Sequence, residues 1–450
     1  MNILDNYRCD YELIKNYEIK SLRDNLILPI KKDEYFITVI VCEESLNLEL
    51  VESNLVIKEI KSSKNEILFC LDDFEKKHQI YINYKNSIQQ NQEKAVQEFF
   101  DLLLNFSLEK KCSDIHIETL SECLIIRLRI DGILKTFFSF EISFYLVLSS
   151  YIKLISNMDI TQKRKPQNAR FEKQVLNKEK IDFRVSTMPT ITGESIVLRI
   201  LDNGVNKKDL NNIGFDDMIL KKVKKSILKS NGLILVTGPT GSGKTTTLYS
   251  ILNELNDNSK KIITIEDPVE YQIKGIQQVA INNKIGLSFN DVLKNILRQD
   301  PDIIMIGEIR DEESLSIAIQ ASLTGHLVFS TLHTNDSIST LSRLFDLNAK
   351  PYLVASTLRA VIAQRLVLKL CSFCEDGCSK CNYTGFDGRL SLFEFLEFDE
   401  NISSLVSNDF DKNKIMHYVK SIGFKSLFDD AKEKIEKNLT TKDEVNKVLF

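Results

Sequence analysis

Residues 231–252 read NGLILVTGPTGSGKTTTLYSIL: an apolar run, a turn crowded with glycine, and a stretch that continues at helical spacing. Gly238, Gly241 and Gly243, followed by Lys244 and Thr245, satisfy the pattern G-x-x-x-x-G-K-[ST]. The pattern calls for a buried strand, a loop whose backbone N–H groups wrap an anion, and a helix whose N-terminal end adds positive potential. Pro239, Thr240 and Ser242 complete the loop, and Thr246 follows it into the helix. Lys244 is expected to reach the terminal phosphates of a nucleotide and Thr245 to ligate Mg²⁺. Because a strand precedes the loop and a helix follows it, a chance match is a poor explanation.

A phosphate cradle hydrolyses nothing unaided, and two further strand-like runs carry carboxylates at their ends. KIITIEDPVEY, residues 261–271, brings Glu266, Asp267 and Glu270, and IIMIGEIRD, residues 303–311, brings Glu308. In an open parallel sheet the C-terminal ends of the strands converge on the nucleotide crevice, which places those side chains well. Glu308 is either an ion-pair partner of Arg310 at the sheet rim or the group that orients and deprotonates the attacking water. Gly307 before it is read as room for the carboxylate to approach the phosphate. GHLVFSTLHTND, residues 325–336, is a further strand with His326 at its start and His333 at its end, two of only five histidines, so both are candidates for sensing the γ-phosphate.

The rest of the chain bounds the setting. Eight of the 16 glycines lie between Gly232 and Gly325, marking that window as the chemical centre of a 450-residue chain long enough for several domains. A net charge of −4, from 59 basic and 63 acidic residues, gives no support for a nucleic-acid-coating protein. A translocase or helicase on the same kind of loop would need a basic or aromatic channel, and no such stripe is present. No signal peptide and no long apolar span are recognisable, so a cytoplasmic location is expected. Cys9, Cys42, Cys70, Cys112 and Cys123 stand singly among apolar neighbours and read as small core residues. Residues 1–92 read as a small α/β module. An amphipathic helix follows, with Val96, Phe99, Phe100, Leu103 and Leu104 on its apolar face, and opens a second domain running to about 203.

Cys371, Cys374, Cys378 and Cys381 are spaced C-x2-C-x3-C-x2-C. Two such pairs supply four thiolates to a tetrahedral structural Zn²⁺. An iron–sulfur cluster also accepts four close cysteines. Zinc is favoured because nothing else in the sequence suggests redox chemistry.

Taken in order, the phosphate loop, the acidic TIEDPVEY box, the RQDPDIIMIGEIRD segment and the GHLVFSTLHTND box resemble the motor domain of the secretion ATPases of type II secretion and type IV pilus assembly. CSDIHIE (112–118), IRLRIDGIL (126–134), RKPQNARF (164–171) and DFRVSTMPTITGESIVLRILD (182–202) resemble that family's second N-terminal domain, with Ala169 where glycine is usual. The resemblance covers residues from about 95 to 450, and 1–92 match weakly. It implies an α/β chain with a RecA-like P-loop ATPase domain over 213–450, smaller α/β N-terminal domains at 1–92 and 95–203, and a C-terminal helical region carrying the tetracysteine module at 371–381. It further implies ATP as substrate, Glu308 as the catalytic carboxylate, and Glu266, Asp267 and Glu270 as organisers of metal and water. Arg184 and Arg199 would be donors to the γ-phosphate. The partners it implies are further copies in a hexamer, an inner-membrane platform protein and a cytoplasmic or bitopic adaptor, with no direct nucleic-acid contact.

Overall fold

A computed structural model describes residues 3–51, 55–89, 93–175, 180–201, 209–257, 259–282, 285–408 and 410–450. The polar stretches NSIQQNQ (86–92) and DNGVNKKDLNN (202–212), which the sequence suggests as connectors, lie partly outside them. The chain divides into two compact units, residues 1–203 with 371–387 and residues 204–370 with 388–450.

The first unit holds two sheets. β1 (Ile27–Lys32), β2 (Phe36–Val41) and β3 (Val56–Lys61) form the smaller, with β1 antiparallel and β3 parallel to β2. The larger runs in the order β6-β5-β4-β9-β8-β7, every neighbour antiparallel. Its strands are β4 (Asp114–Thr119), β5 (Cys123–Ile130), β6 (Ile133–Glu141), β7 (Gln167–Gln174), β8 (Lys180–Thr190) and β9 (Gly193–Leu201).

Residues 1–92 and 95–203, expected as separate domains, share one hydrophobic core. The helix Phe74–Gln89 exposes an aromatic face that needs cover. Tyr84 finds it on Phe140 of β6 and on Phe144, at ring-centroid distances of 4.6 and 5.0 Å. Phe99 from the next helix, Glu93–Glu109, packs edge-on against the same two rings. All five residues assigned to that helix's apolar face are buried. Such aromatic contacts add about 0.5–1.5 kcal/mol each beyond area burial. Cys9, Cys70 and Cys112 are buried, while Cys42 and Cys123 are half-buried. Lys153 and Glu194 form an ion pair in the interior, with Tyr145 donating to the same carboxylate at 3.0 Å.

The second unit is the expected α/β body. Its seven-stranded sheet runs β12-β11-β13-β14-β10-β15-β16. The strands are β10 (Gly232–Thr237), β11 (Ile262–Glu266), β12 (Gln277–Ala280), β13 (Ile303–Ile306), β14 (Leu327–Leu332), β15 (Leu358–Leu370) and β16 (Phe386–Glu397). All pairings from β12 through to β15 are parallel. Parallel strands covered on both faces read as continuous apolar runs, and β10, β13 and β14 are buried at every position. Alternation still divides the faces: Leu233 and Leu235 enter one core cluster, Ile234 and Val236 the other. Four helices between Glu400 and Leu449 make up the C-terminal helical region. Among the described residues no helix is long and apolar enough to cross a membrane.

The cysteine segment 371–387, expected with the 213–450 body, groups with the first unit. The physical reason is its set of partners, Asn65, Asp72 and Lys135, all in that unit.

Candidate functional site

The parallel sheet brings the C-terminal ends of β10, β11, β13 and β14 to one edge. The phosphate loop leaves β10 there and enters the helix Lys244–Leu255. Two of its glycines are required by what lies behind them. A Cβ on Gly238 would meet the Gln364 carbonyl oxygen at 2.5 Å, and one on Gly243 the Gln364 amide nitrogen at 2.7 Å. Both have positive φ, +151° and +90°. Pro239, Thr240 and Gly241 form an exposed rim, Thr245 is exposed and Thr246 half-buried. The Ser242 hydroxyl is buried with no hydrogen-bond partner among the described residues. An orphaned donor inside a loop of this shape suits a phosphate oxygen.

Lys244 folds back on the loop, donating to the carbonyls of Gly238 and Pro239 at 2.7 and 3.0 Å. Burial lowers its pKa, Glu308 opposes that shift and Arg365 adds to it. The ammonium therefore sits within electrostatic reach of Glu308. That carboxylate follows β13, forms an ion pair with Arg310, and lies 3.5 Å from the His333 imidazole Nε2. The rim ion pair with Arg310 thus exists, and Glu308 is also within electrostatic range of the loop lysine. A Cβ on Gly307 would meet the Ile265 carbonyl of neighbouring β11 at 3.0 Å. Glycine there allows two strand ends to close.

The acidic box divides by burial. Both Glu266 oxygens are occupied: Thr264 and Gln278 donate to Oε1 at 2.6 and 3.1 Å, and the Tyr249 hydroxyl donates to Oε2. Burial and this carboxylate together raise the Tyr249 phenol pKa well above its ordinary value. Glu266 therefore anchors the loop that follows it, and Asp267 and Glu270 are the exposed carboxylates of the box. His326 does not belong to this edge. It precedes β14, its Nδ1 lies against Ala321 O at 3.0 Å and Thr324 Oγ1 at 3.1 Å, and the six residues of the strand separate it from His333 by roughly 20 Å.

Arg184 and Arg199 belong to the first unit, as cross-strand neighbours on β8 and β9. Arg199 is tied through Nε to buried Asp114 at 2.9 Å. The four cysteine sulfurs lie within 4.8 Å of one another, with closest pairs at 3.6–3.9 Å. Four sulfurs about 2.3 Å from one central ion would be spaced about 3.8 Å apart, so the set fits a single tetrahedral metal.

Residues 89–447 match the family model of the type II/IV secretion system proteins. The type II secretion system protein E of Pseudomonas aeruginosa is 38% identical over 387 residues, covering 80% of this chain and 77% of that one. The chain belongs to the type II/IV secretion system protein family. The type IV pilus assembly ATPase TfpB of Acinetobacter baylyi is 37% identical over 439 residues, 91% of this chain and 75% of its own. Among solved structures, the Legionella pneumophila ATPase DotB superposes with a TM-score of 0.65 at 26% identity, covering 78% of this chain and 95% of that one. The pilus retraction motor PilT with bound ADP gives 0.58 at 28%, covering 77% and 95%.

In this secretion-system protein two further residues shape the loop, and neither was singled out in the sequence. β15 runs parallel to β10 and continues past it, Thr237 facing Ala363. Gln364 and Arg365 therefore stand directly behind the glycines, both buried. Gln364 accepts from the Thr247 hydroxyl at 2.7 Å. Arg365 donates to Gln364 O at 3.0 Å and to Asn335 O at 2.7 Å, joining the turn beyond His333 to the base of the loop. The available signal was the adjacent polar pair Gln364-Arg365 in the apolar middle of LRAVIAQRLVLKL. Gln364→Ala leaves the Thr247 hydroxyl buried without its acceptor, and a loss of about 1–3 kcal/mol in unfolding free energy is expected. A denaturant titration reads it, and an unchanged midpoint would show that the Gln364 side chain does not support the loop.

Proposed function

We propose that this chain is a Mg²⁺-dependent ATPase, working as a homo-hexamer, that powers assembly of a type II secretion pseudopilus or a type IV pilus. An inner-membrane platform protein and a cytoplasmic or bitopic adaptor are the partners this role requires. The observation that carries the reading is the convergence of Lys244 and Glu308 at one sheet edge, with His333 at 3.5 Å from the carboxylate. The names of the relatives, a secretion system protein E and a pilus assembly ATPase, support the direction of the work.

The residues present suit the chemistry. Lys244 would exchange two loop carbonyls for phosphate oxygens, a change that keeps its ammonium hydrogen-bonded. Thr245 and the exposed carboxylates Asp267 and Glu270 are the groups that would hold Mg²⁺, which when bound neutralises charge on the phosphates. Glu308, turned from Arg310, would orient and deprotonate the attacking water. The cysteine set has no open position once four thiolates are engaged, so its metal, zinc in this reading, is structural.

Deletion of the gene, scored in parallel for surface pili, protein secretion and DNA uptake, tests the role. Loss of at least one, restored by the native gene and not by the Glu308→Gln version, is expected. Retention of all three would exclude a filament-assembly role.

A further inference from the structure

The tetracysteine segment connects β15 to β16, yet its neighbours are elsewhere in the chain. Asn65, in the helix Lys64–Leu71, donates through its side-chain amide to the carbonyl of Asp376 at 3.0 Å. Lys135 of β6 donates to the carbonyl of Asn382 at 3.3 Å. That lysine is itself held by Glu66 at 3.3 Å and lies 3.7 Å from the centre of the Phe69 ring. Tyr383 packs against the core of the first unit, with the Asp72 carboxylate facing its hydroxyl. The three contacts come from one helix, its C-terminal cap and the adjoining strand.

The seat reads backbone shape. Both hydrogen bonds go to main-chain carbonyls of the cysteine segment, and the backbone there is unusual: Gly377, Asn382 and Tyr383 have φ of +138°, +50° and +59°. A side chain on Gly377 would meet the Asn65 amide at 3.0 Å. Left-handed backbone at non-glycine positions persists only where the surroundings fix it. Here four sulfurs drawn together provide the constraint, and without a cation nothing holds four thiols together.

We propose that the face formed by the helix Lys64–Leu71, Asp72 and Lys135 is a receptor for the metal-closed cysteine segment, so that metal occupancy determines whether the segment is docked. Asn65, Glu66, Phe69 and Asp72 precede the stretch that matches the family, residues 89–447. Lys135 lies within that stretch, so the receptor is built across the start of the family match.

The test is amide hydrogen exchange on the full chain, zinc-loaded, chelated, and reloaded with zinc, with metal content measured at each stage. Removal of the metal is expected to speed exchange about tenfold or more in peptides covering 64–72 and 133–137, and zinc to restore protection. Asn65→Asp places a carboxylate against the Asp376 carbonyl while sparing all four cysteines. It is expected to retain one metal per chain and still show the faster exchange at 64–72. Unchanged protection after verified metal loss would overturn the proposal, as would faster exchange spread evenly over β4–β9, or an Asn65→Asp protein indistinguishable from native.

Discussion

Glu308→Gln is expected to lower ATP turnover by about 10²–10⁴-fold while nucleotide affinity stays within about threefold of native. The substitution keeps the size of the side chain and removes its capacity to take a proton. Lys244, the loop glycines and Ser242 are untouched, so the phosphates keep their donors. Two structural contacts change as well: the Arg310 guanidinium loses a charged acceptor, and the His333 imidazole, 3.5 Å away, meets an amide in place of a carboxylate. A control separates these from chemistry. Arg310→Gln breaks the ion pair and leaves the carboxylate, so it is expected to retain most of the turnover. Steady-state hydrolysis alongside fluorescent-nucleotide titration reads both proteins. Turnover near native in Glu308→Gln would remove this residue from the reaction.

The second large effect concerns stability. Lys153 and Glu194 are almost wholly excluded from water, with Nζ at 2.8 Å from each carboxylate oxygen and at 2.8 Å from the carbonyl of Gln162. Glu194→Ala strands an ammonium in the interior and deprives Tyr145 of its acceptor. Removing one member of such a pair destabilises by about 3–5 kcal/mol. The double substitution Lys153→Met with Glu194→Ala removes both charges and is expected to recover much of the loss. Chemical denaturation of the three proteins measures it, and equal destabilisation of the single and double variants would contradict the interior-charge explanation.

What the sequence disclosed, and what it withheld, follows from the range of the interactions involved. The strand, loop and helix around Gly238–Thr245 were legible because glycine, lysine and threonine at fixed offsets are a local requirement of phosphate binding. The four cysteines were legible for the same reason. The joining of residues 1–92 to the next hundred was not, because it depends on Tyr84 meeting Phe140 and Phe144, rings some sixty residues away. Glu266 looked like its neighbours Asp267 and Glu270. Only the arrival of Tyr249 and Gln278 from two other elements distinguishes an anchored, buried carboxylate from exposed ones. His326 shows a limit of a different kind. Two histidines flanking one strand necessarily occupy opposite ends of it, and the parallel order of the sheet leaves only His333 at the nucleotide edge. Gln364 and Arg365 were readable in principle as polar breaks in a buried strand, but their purpose emerges only from the register that carries β15 past β10.

The most direct measurement is a crystal or cryo-electron structure of the full chain with a non-hydrolysable ATP analogue and Mg²⁺. The expected result places the triphosphate in the 238–245 loop, with the Lys244 ammonium moved from the carbonyls of Gly238 and Pro239 to the phosphates and the Glu308 carboxylate turned from Arg310 toward the γ-phosphate in at least one subunit. A nucleotide bound elsewhere, or Glu308 still paired with Arg310 in every occupied subunit, would contradict it.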